Sequence, residues 1–307
     1  PTRELPIVES YRKYLDPQAL AKLQGLELRA RSIVEGYVTG VHRSPYHGFS
    51  VEFAEHREYV PGDDLRYVDW KAFGKTDRVY LKQYEEETNL VAYLLLDVSE
   101  SMTYRGPQAP LSKLDYARSA AAALAYLVLQ QQDGAGLTTF DAQVRALIRP
   151  SSHPSHLKQL LYVMEQAPTT QKTAIGPIFH ELAERFKKRG VVLVFSDLFD
   201  DVPTMLAGLK HFRHRRHEVV LFHVLDPAEL DFPFQSMTLF QGLEAYPHLL
   251  VDPPALRKAY LAEVEAFVKA VRTGCHARRI DYVPLRTDEP LDRVLSTYLA
   301  TRMTRRN

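Results

Sequence analysis

The stretch from Leu90 to Thr103, LVAYLLLDVSESMT, constrains this chain more than any other. Leu90 to Leu96 is an uninterrupted apolar run bounded by polar residues, which reads as a strand buried on both faces. Directly after it, Asp97, Ser99 and Ser101 recur at every second position. A chain leaving a parallel strand turns over the carboxyl edge of the sheet, where open α/β folds bind their ligands. One carboxylate and two hydroxyls converging there suit a hard, oxygen-seeking divalent cation such as Mg²⁺. Asp97 is therefore a candidate metal ligand. The competing reading is a plain strand-end turn, with Ser99 and Ser101 capping the next helix.

Beyond Thr103, apolar strands and amphipathic helices alternate. The periodicity predicts helices over 111–132, 156–165, 177–188, 203–214, 253–273 and 291–303, and strands over 137–140, 144–148, 191–195, 219–225 and 280–284. Asp141-Ala142 joins the strands at 137–140 and 144–148 as a hairpin. Ala117, Ala120, Ala121 and Ala125 give the first helix a face suited to close packing on a sheet. Residues 226–252 break the alternation; their Pro, Phe and Gly content reads as a loop-and-hairpin insertion with strands at 238–243 and 248–251. The expected fold is α/β: a doubly wound, mostly parallel sheet with one antiparallel edge strand, spanning residues 89–307.

A smaller α+β region, 1–88, is expected to precede it. Asp16-Pro17 opens a loosely amphipathic helix that runs to about Gly36. Residues 50–55 alternate as a short half-buried strand, and 79–86 read as an amphipathic strand pairing antiparallel beside the Leu90 strand. Between them, Pro61-Gly62 suits a type II turn. Asp63 or Asp64 then caps a helical turn carrying Arg66, Asp69 and Trp70, the only tryptophan. This cluster reads first as a structural brace, with Arg66 paired to a carboxylate, and second as a partner surface.

Composition removes several function classes. Lys and Arg total 39 against 38 Asp and Glu, which gives no global bias toward nucleic acid or an anionic membrane. A single cysteine, Cys275, excludes an intramolecular disulfide and a cysteine-based zinc site. No basic-then-apolar leader opens the chain, and the longest apolar window, 120–129, is too short to span a bilayer. A cytoplasmic protein without a membrane span is expected. There is no G-x-x-x-x-G-K-[ST], hence no P-loop. His180-Glu181 begins like a zinc-protease helix but lacks the second His. His211–His217 reads as a basic helix end suited to the dipole, and Arg302, Arg305 and Arg306 as a solvated tail.

Three polar groups should fall on one edge of the main sheet: the Asp97/Ser99/Ser101 loop, the Thr173 loop and the Asp197 loop. Two carboxylates and up to three hydroxyls, with waters in the remaining positions, satisfy Mg²⁺ or Mn²⁺, with Ca²⁺ a further option. Here the chain resembles a known arrangement. DVSES at 97–101, Thr173, and Asp197 after VVLVF look like the metal-ion-dependent adhesion site of von Willebrand factor A domains, although Lys172 stands where related domains often carry Gly. That resemblance implies that Asp97, Ser99, Ser101, Thr173 and Asp197 hold the ion. Upstream, EFAEHREYVPGDDLRYVDWKAFGKTDRVYLKQYEEE resembles the hallmark of the bacterial family called domain of unknown function 58. Family resemblance implies a von Willebrand A-like sheet and a partnership with MoxR-type AAA+ ATPases, which are linked to maturation or remodelling of other proteins.

The expected function is thus a non-enzymatic, metal-dependent adaptor that takes an acidic residue of a client protein on its ion. One rival is a Mg²⁺-dependent phosphatase-like hydrolase with Asp97 as nucleophile. Such enzymes want a second acid two residues later, where this chain has Ser99, although Asp200-Asp201 offers carboxylates nearby. The other rival is a scaffold that binds no metal.

Overall fold

The computed structural model describes residues 51–58, 80–86, 90–153, 155–167, 175–240 and 249–304. Strands β1 (Val51–Glu58) and β2 (Tyr80–Glu86) pair antiparallel as a two-stranded sheet. This hairpin belongs to a compact unit, residues 32–89, separate from the one that holds the main sheet. The expected pairing of the 79–86 segment with the Leu90 strand is corrected here. The latter, β3 (Val91–Asp97), has both of its edges taken by other strands, so no backbone groups remain to receive β2. The expected helix at 16–36 and the cluster of Asp63, Asp64, Arg66, Asp69 and Trp70 lie outside the described residues.

After β3 the chain runs through α1 (Lys113–Gln130), β4 (Gly134–Phe140), β5 (Val144–Ser151), α2 (His156–Gln166), α3 (Ile175–Arg185), β6 (Val191–Ser196), α4 (Val202–His214) and β7 (Glu218–Leu225). It continues with α5 (Pro227–Asp231), β8 (Thr238–Phe240), β9 (Leu249–Val251), α6 (Pro253–Ala277), β10 (Asp281–Arg286) and α7 (Leu291–Thr304). The six-stranded sheet has the order β5-β4-β3-β6-β7-β10, parallel throughout except that β5 runs antiparallel to β4 on one edge. The sheet grows outward from β3 to β5, then resumes on the other side of β3 with β6. Strand order therefore reverses between β3 and β6, and crevices form over the carboxyl ends of strands at such a reversal.

Both faces are covered, which is why β3 carries no charged residue before Asp97. Leu94 and Leu96 pack with residues of α1, α2 and α7, whereas Tyr93 and Leu95 pack with α3, α4 and the end of α6. The alanines at 117, 120, 121 and 125 are fully buried, so α1 can lie close on the sheet. On the opposite layer Gly208 of α4 meets α3 so closely that a Cβ there would fall 2.8 Å from that of Phe179 and 2.9 Å from the Gly176 carbonyl oxygen. Cys275 is buried in α6, where burial pushes its thiol up to about 12.

The insertion after β7 opens with a helix, α5, that the Pro- and Phe-rich composition did not suggest. A capping box forms it: the Asp226 carboxylate accepts the Ala228 N–H at 2.8 Å, and the Glu229 carboxylate accepts the Asp226 N–H at 2.8 Å. β8 and β9 then pair as a small antiparallel sheet apart from the main one. Among the described residues no helix is long and apolar enough to cross a membrane.

Candidate metal centre

β3 and β6 lie side by side in parallel, with Leu96 opposite Phe195, so Asp97 and Ser196 come next in line at the carboxyl edge. Asp97 is fully buried. Its Oδ1 accepts the Ser99 N–H at 2.9 Å, which folds the backbone back at the strand end as an Asx turn. Its Oδ2 accepts the Ser196 hydroxyl at 2.6 Å. One turn of 3₁₀ helix, Glu100–Thr103, follows and brings the Ser99 and Ser101 hydroxyl oxygens within 3.1 Å of each other. Oxygens about 2.1 Å from an octahedral Mg²⁺ stand about 3 Å apart when adjacent. The two hydroxyls are hydrogen-bonded to each other, at a distance that also matches one edge of such a shell.

These hydroxyls are not helix caps. Ser99 occupies the N-cap position of the 3₁₀ turn, yet its side chain makes no capping bond. α1 is capped by Ser112, whose Oγ accepts the Asp115 N–H at 3.1 Å.

Asp197 follows β6 and is also buried, but its surroundings differ. The Lys113 ammonium donates to Asp197 Oδ2 at 2.8 Å and to Glu229 Oε1 at 2.5 Å. It lies 4.7 Å from the centre of the Phe199 ring, a cation–π contact. Lys113 is the first residue of α1 and is fully buried. One side chain therefore ties the start of α1, the end of β6 and the capping box of α5. His223 on β7 completes the support. Its Nε2 faces the Asp197 carbonyl oxygen at 3.0 Å and must donate there, so Nδ1 accepts the Tyr282 hydroxyl at 2.9 Å. Leu198 takes a left-handed φ of 60°, strained for a leucine; its N–H on Ser196 Oγ at 2.9 Å helps to hold it.

Electrostatics separates the two carboxylates. Burial, and then the charge of Asp197, push Asp97 up to about 7, against the pull of hydrogen bonds from Ser196 and Ser99. Among the described residues, none of the groups acting on Asp97 is cationic. Burial depresses Lys113, but Asp197 and Glu229 more than offset it, so the amine stays firmly protonated. Burial raises Glu229 in spite of the attraction of Lys113. It also lowers His223 to about 4, which keeps the imidazole neutral. Lys113 thus serves Asp197 and Glu229, while Asp97 has hydrogen-bond dipoles and, among the described residues, no counter-ion.

Of the five residues expected to hold an ion, four are described. Asp97, Ser99, Ser101 and Asp197 all lie at the β3–β6 edge, and Thr173 lies outside the described residues. Ile175, two positions further along the chain, donates its N–H to Asp200 Oδ2 at 2.7 Å, so α3 starts at the loop that follows β6. Asp201 accepts the Thr204 N–H at 2.9 Å and caps α4. The Asp200-Asp201 carboxylates are thus committed to the first turns of two helices. Among the described residues no three His, Cys, Asp or Glu side chains are placed to hold an ion, so binding here would depend on the serine hydroxyls.

Four residues of this site were not singled out by the sequence: Lys113, Ser196, His223 and Glu229. Two left signals. A lysine at the first position of a helix opposes the dipole, and Asp226-Pro227-Ala228-Glu229 has capping-box spacing. The surface histidines behave as ordinary helix residues: His211 faces Glu184 at 2.8 Å, and Arg215 pairs with the same carboxylate.

A family model described as protein of unknown function DUF58 matches residues 55–269. The uncharacterized protein Rv1480 of Mycobacterium tuberculosis is 29% identical over 281 residues, covering 89% of this chain and 86% of that protein. Among solved structures, an aerotolerance-related membrane protein from Bacteroides fragilis superposes with a TM-score of 0.46 at 16% identity, over 70% of this chain and 99% of that one. The conserved hypothetical protein BatB from Bacteroides thetaiotaomicron gives a TM-score of 0.45 at 15% identity, with the same coverage.

Proposed function

From the premise that this chain belongs to the DUF58 family, we propose that it is a non-enzymatic binding module whose sheet edge takes a divalent cation, Mg²⁺ or Mn²⁺ by preference. Asp97, Ser99 and Ser101 would hold the ion, with Asp197 and Thr173 completing the set. The observation that carries this reading is the setting of Asp97. It is a buried carboxylate beside a second one, with no cationic partner among the described residues, and it is followed by two hydroxyls spaced as adjacent ligands. A divalent ion supplies the missing positive charge, and an open position on it can accept an acidic side chain from a client protein.

Two features favour binding over catalysis. A serine, Ser99, stands where a phosphatase of this kind needs its general acid, and serine transfers protons poorly near neutral pH. The Asp200 and Asp201 carboxylates are engaged at helix N-termini. Family resemblance adds the partner: a MoxR-type AAA+ ATPase, with this chain as its adaptor in protein maturation or remodelling.

The test is a titration of EDTA-stripped protein with MgCl₂, read by calorimetry and by melting temperature. Wild type should bind and melt higher, Asp97→Ala should do neither, and both should share one circular dichroism spectrum. A MoxR-type ATPase should be retained on immobilised wild type in Mg²⁺ and released by EDTA. Equal retention by Asp97→Ala, with and without EDTA, would defeat the proposal.

A further inference from the structure

We infer that the Lys113 ammonium is the site's own rival to the divalent cation: it holds Asp197 when no ion is present and thereby sets how tightly an ion is taken. This rests on the metal-binding reading proposed above and adds a residue that the family's ligand pattern does not contain.

The geometry is specific. Lys113 is the first residue of α1 and fully buried, so its ammonium is doubly disfavoured, by burial and by the positive end of the helix dipole. Two carboxylates compensate, Asp197 at 2.8 Å and Glu229 at 2.5 Å. The Lys113 bond falls on Asp197 Oδ2, while among the described residues Oδ1 takes the Phe199 N–H at 3.3 Å. An ion on Asp97, Ser99 and Ser101 that recruits Asp197 must share that carboxylate with a like charge.

Glu229 makes the contact exchangeable. Because Lys113 already bonds a second carboxylate, it can keep a partner while Asp197 turns to the ion. Glu229 in turn belongs to the capping box of α5, so ion occupancy would be felt where the insertion begins. The two side chains should therefore act on ion affinity in opposite directions. Removing the charge at 113 frees Asp197. Removing the charge at 229 drives the ammonium onto Asp197. A merely structural role for both residues predicts weaker binding in each case.

The experiment uses the full chain, stripped with EDTA and titrated by calorimetry with MgCl₂ and, separately, MnCl₂. Lys113→Met is expected to bind about tenfold tighter than wild type, and Glu229→Gln about tenfold more weakly. Lys113→Arg keeps the charge and should stay near wild type. If Lys113→Met folds only when Mn²⁺ is added, as seen by circular dichroism, the inference is supported, because the ion then replaces the ammonium. If it folds under no condition, the milder Lys113→Gln takes its place in the same titration: binding tighter than wild type supports the inference, and binding equal or weaker overturns it. Wild type that binds while Lys113→Met binds no tighter overturns it and leaves the metal reading standing. A silent wild type with a binding Lys113→Met supports it and defeats the metal reading for the native chain. Silence in both defeats the two together.

Discussion

The ends of β3 and β6 are neighbours in one sheet, both finish in a buried carboxylate, and they solve the same electrostatic problem differently. At the end of β6, Asp197 has a full ammonium on one oxygen, and its carbonyl is fixed by a neutral histidine. At the end of β3, Asp97 has an amide, a hydroxyl and, among the described residues, no cation. Burying a charge is tolerable when it is paired, and otherwise the group is driven toward its neutral form. The difference teaches that position on the carboxyl edge does not by itself make a ligand. Asp197 is balanced from within the chain, and under the proposed reading Asp97 is the group that gains from an ion brought from outside.

The comparison breaks most dramatically at Lys113. Replacing it with Met leaves Asp197 and Glu229 buried without a counter-charge, a change that costs about 3–5 kcal/mol when one partner of a buried pair is removed. Urea denaturation in EDTA should show that loss, and added Mn²⁺ should recover part of it. A loss below about 1 kcal/mol would mean that the pair is solvated and that the two strand ends do not differ as described.

Asp97→Asn probes the other end, and here the sign depends on pH. A carboxyl that titrates near pH 7 in the folded chain and near 3.8 when unfolded holds its proton longer in the folded state. Between these values the folded protein binds more protons, so stability falls as pH rises from about 4 to 7, by a few kcal/mol at most. Asn removes that slope. In EDTA the variant should match wild type near pH 4 and exceed it by about 2–3 kcal/mol at pH 8. His223 acts in the opposite sense: its folded value of about 4 lies below the ordinary 6.5, so it takes stability away as pH falls through that interval. Because both proteins contain His223, subtracting one profile from the other isolates Asp97. Mg²⁺ should then stabilise wild type and leave the variant unmoved.

Ser196→Ala tests the hydroxyl shared between the ends. Its Oγ donates to Asp97 at 2.6 Å and accepts the Leu198 N–H at 2.9 Å, so its loss removes a charge-assisted bond and frees a strained residue. A cost of about 1.5–3 kcal/mol is expected, with the Asp97 titration moved further upward. A pH profile that does not move would show that Ser196 does not hold Asp97.

How much of this was readable beforehand follows from the range of each interaction. The buried run at 90–96, the alanine face of α1 and the alternation after it are local patterns, and they led to the sheet and to Asp97, Ser99, Ser101 and Asp197. The pairing partner of the 79–86 strand was not local: alternation says that a strand has two unlike faces, but not which edge is vacant. The lysine was hidden for a related reason. Lys113 and Glu229 are 116 positions apart, and only the fold brings α1, β6 and α5 to one point. Its misfit with the helix dipole was the one trace it left in the sequence.

The smallest expected effect tests whether the two ends are independent. Tyr282→Phe removes the hydroxyl that donates to His223 Nδ1, leaving a buried nitrogen without its partner, while the imidazole can still donate to the Asp197 carbonyl. The cost should be about 1 kcal/mol in urea denaturation, the ordinary contribution of one such bond. Since His223 supports β6 and does not touch Asp97, the pH-dependent difference between wild type and Asp97→Asn should be the same in the Tyr282→Phe background. Double-mutant analysis makes this quantitative: the two sites meet through Asp197, and if that link transmits nothing their effects add to within about 0.5 kcal/mol. A larger coupling would mean that the β6 end passes its position on to Asp97 through Ser196, and the two carboxylates would then form a single unit in which the charge on one side sets the geometry of the other.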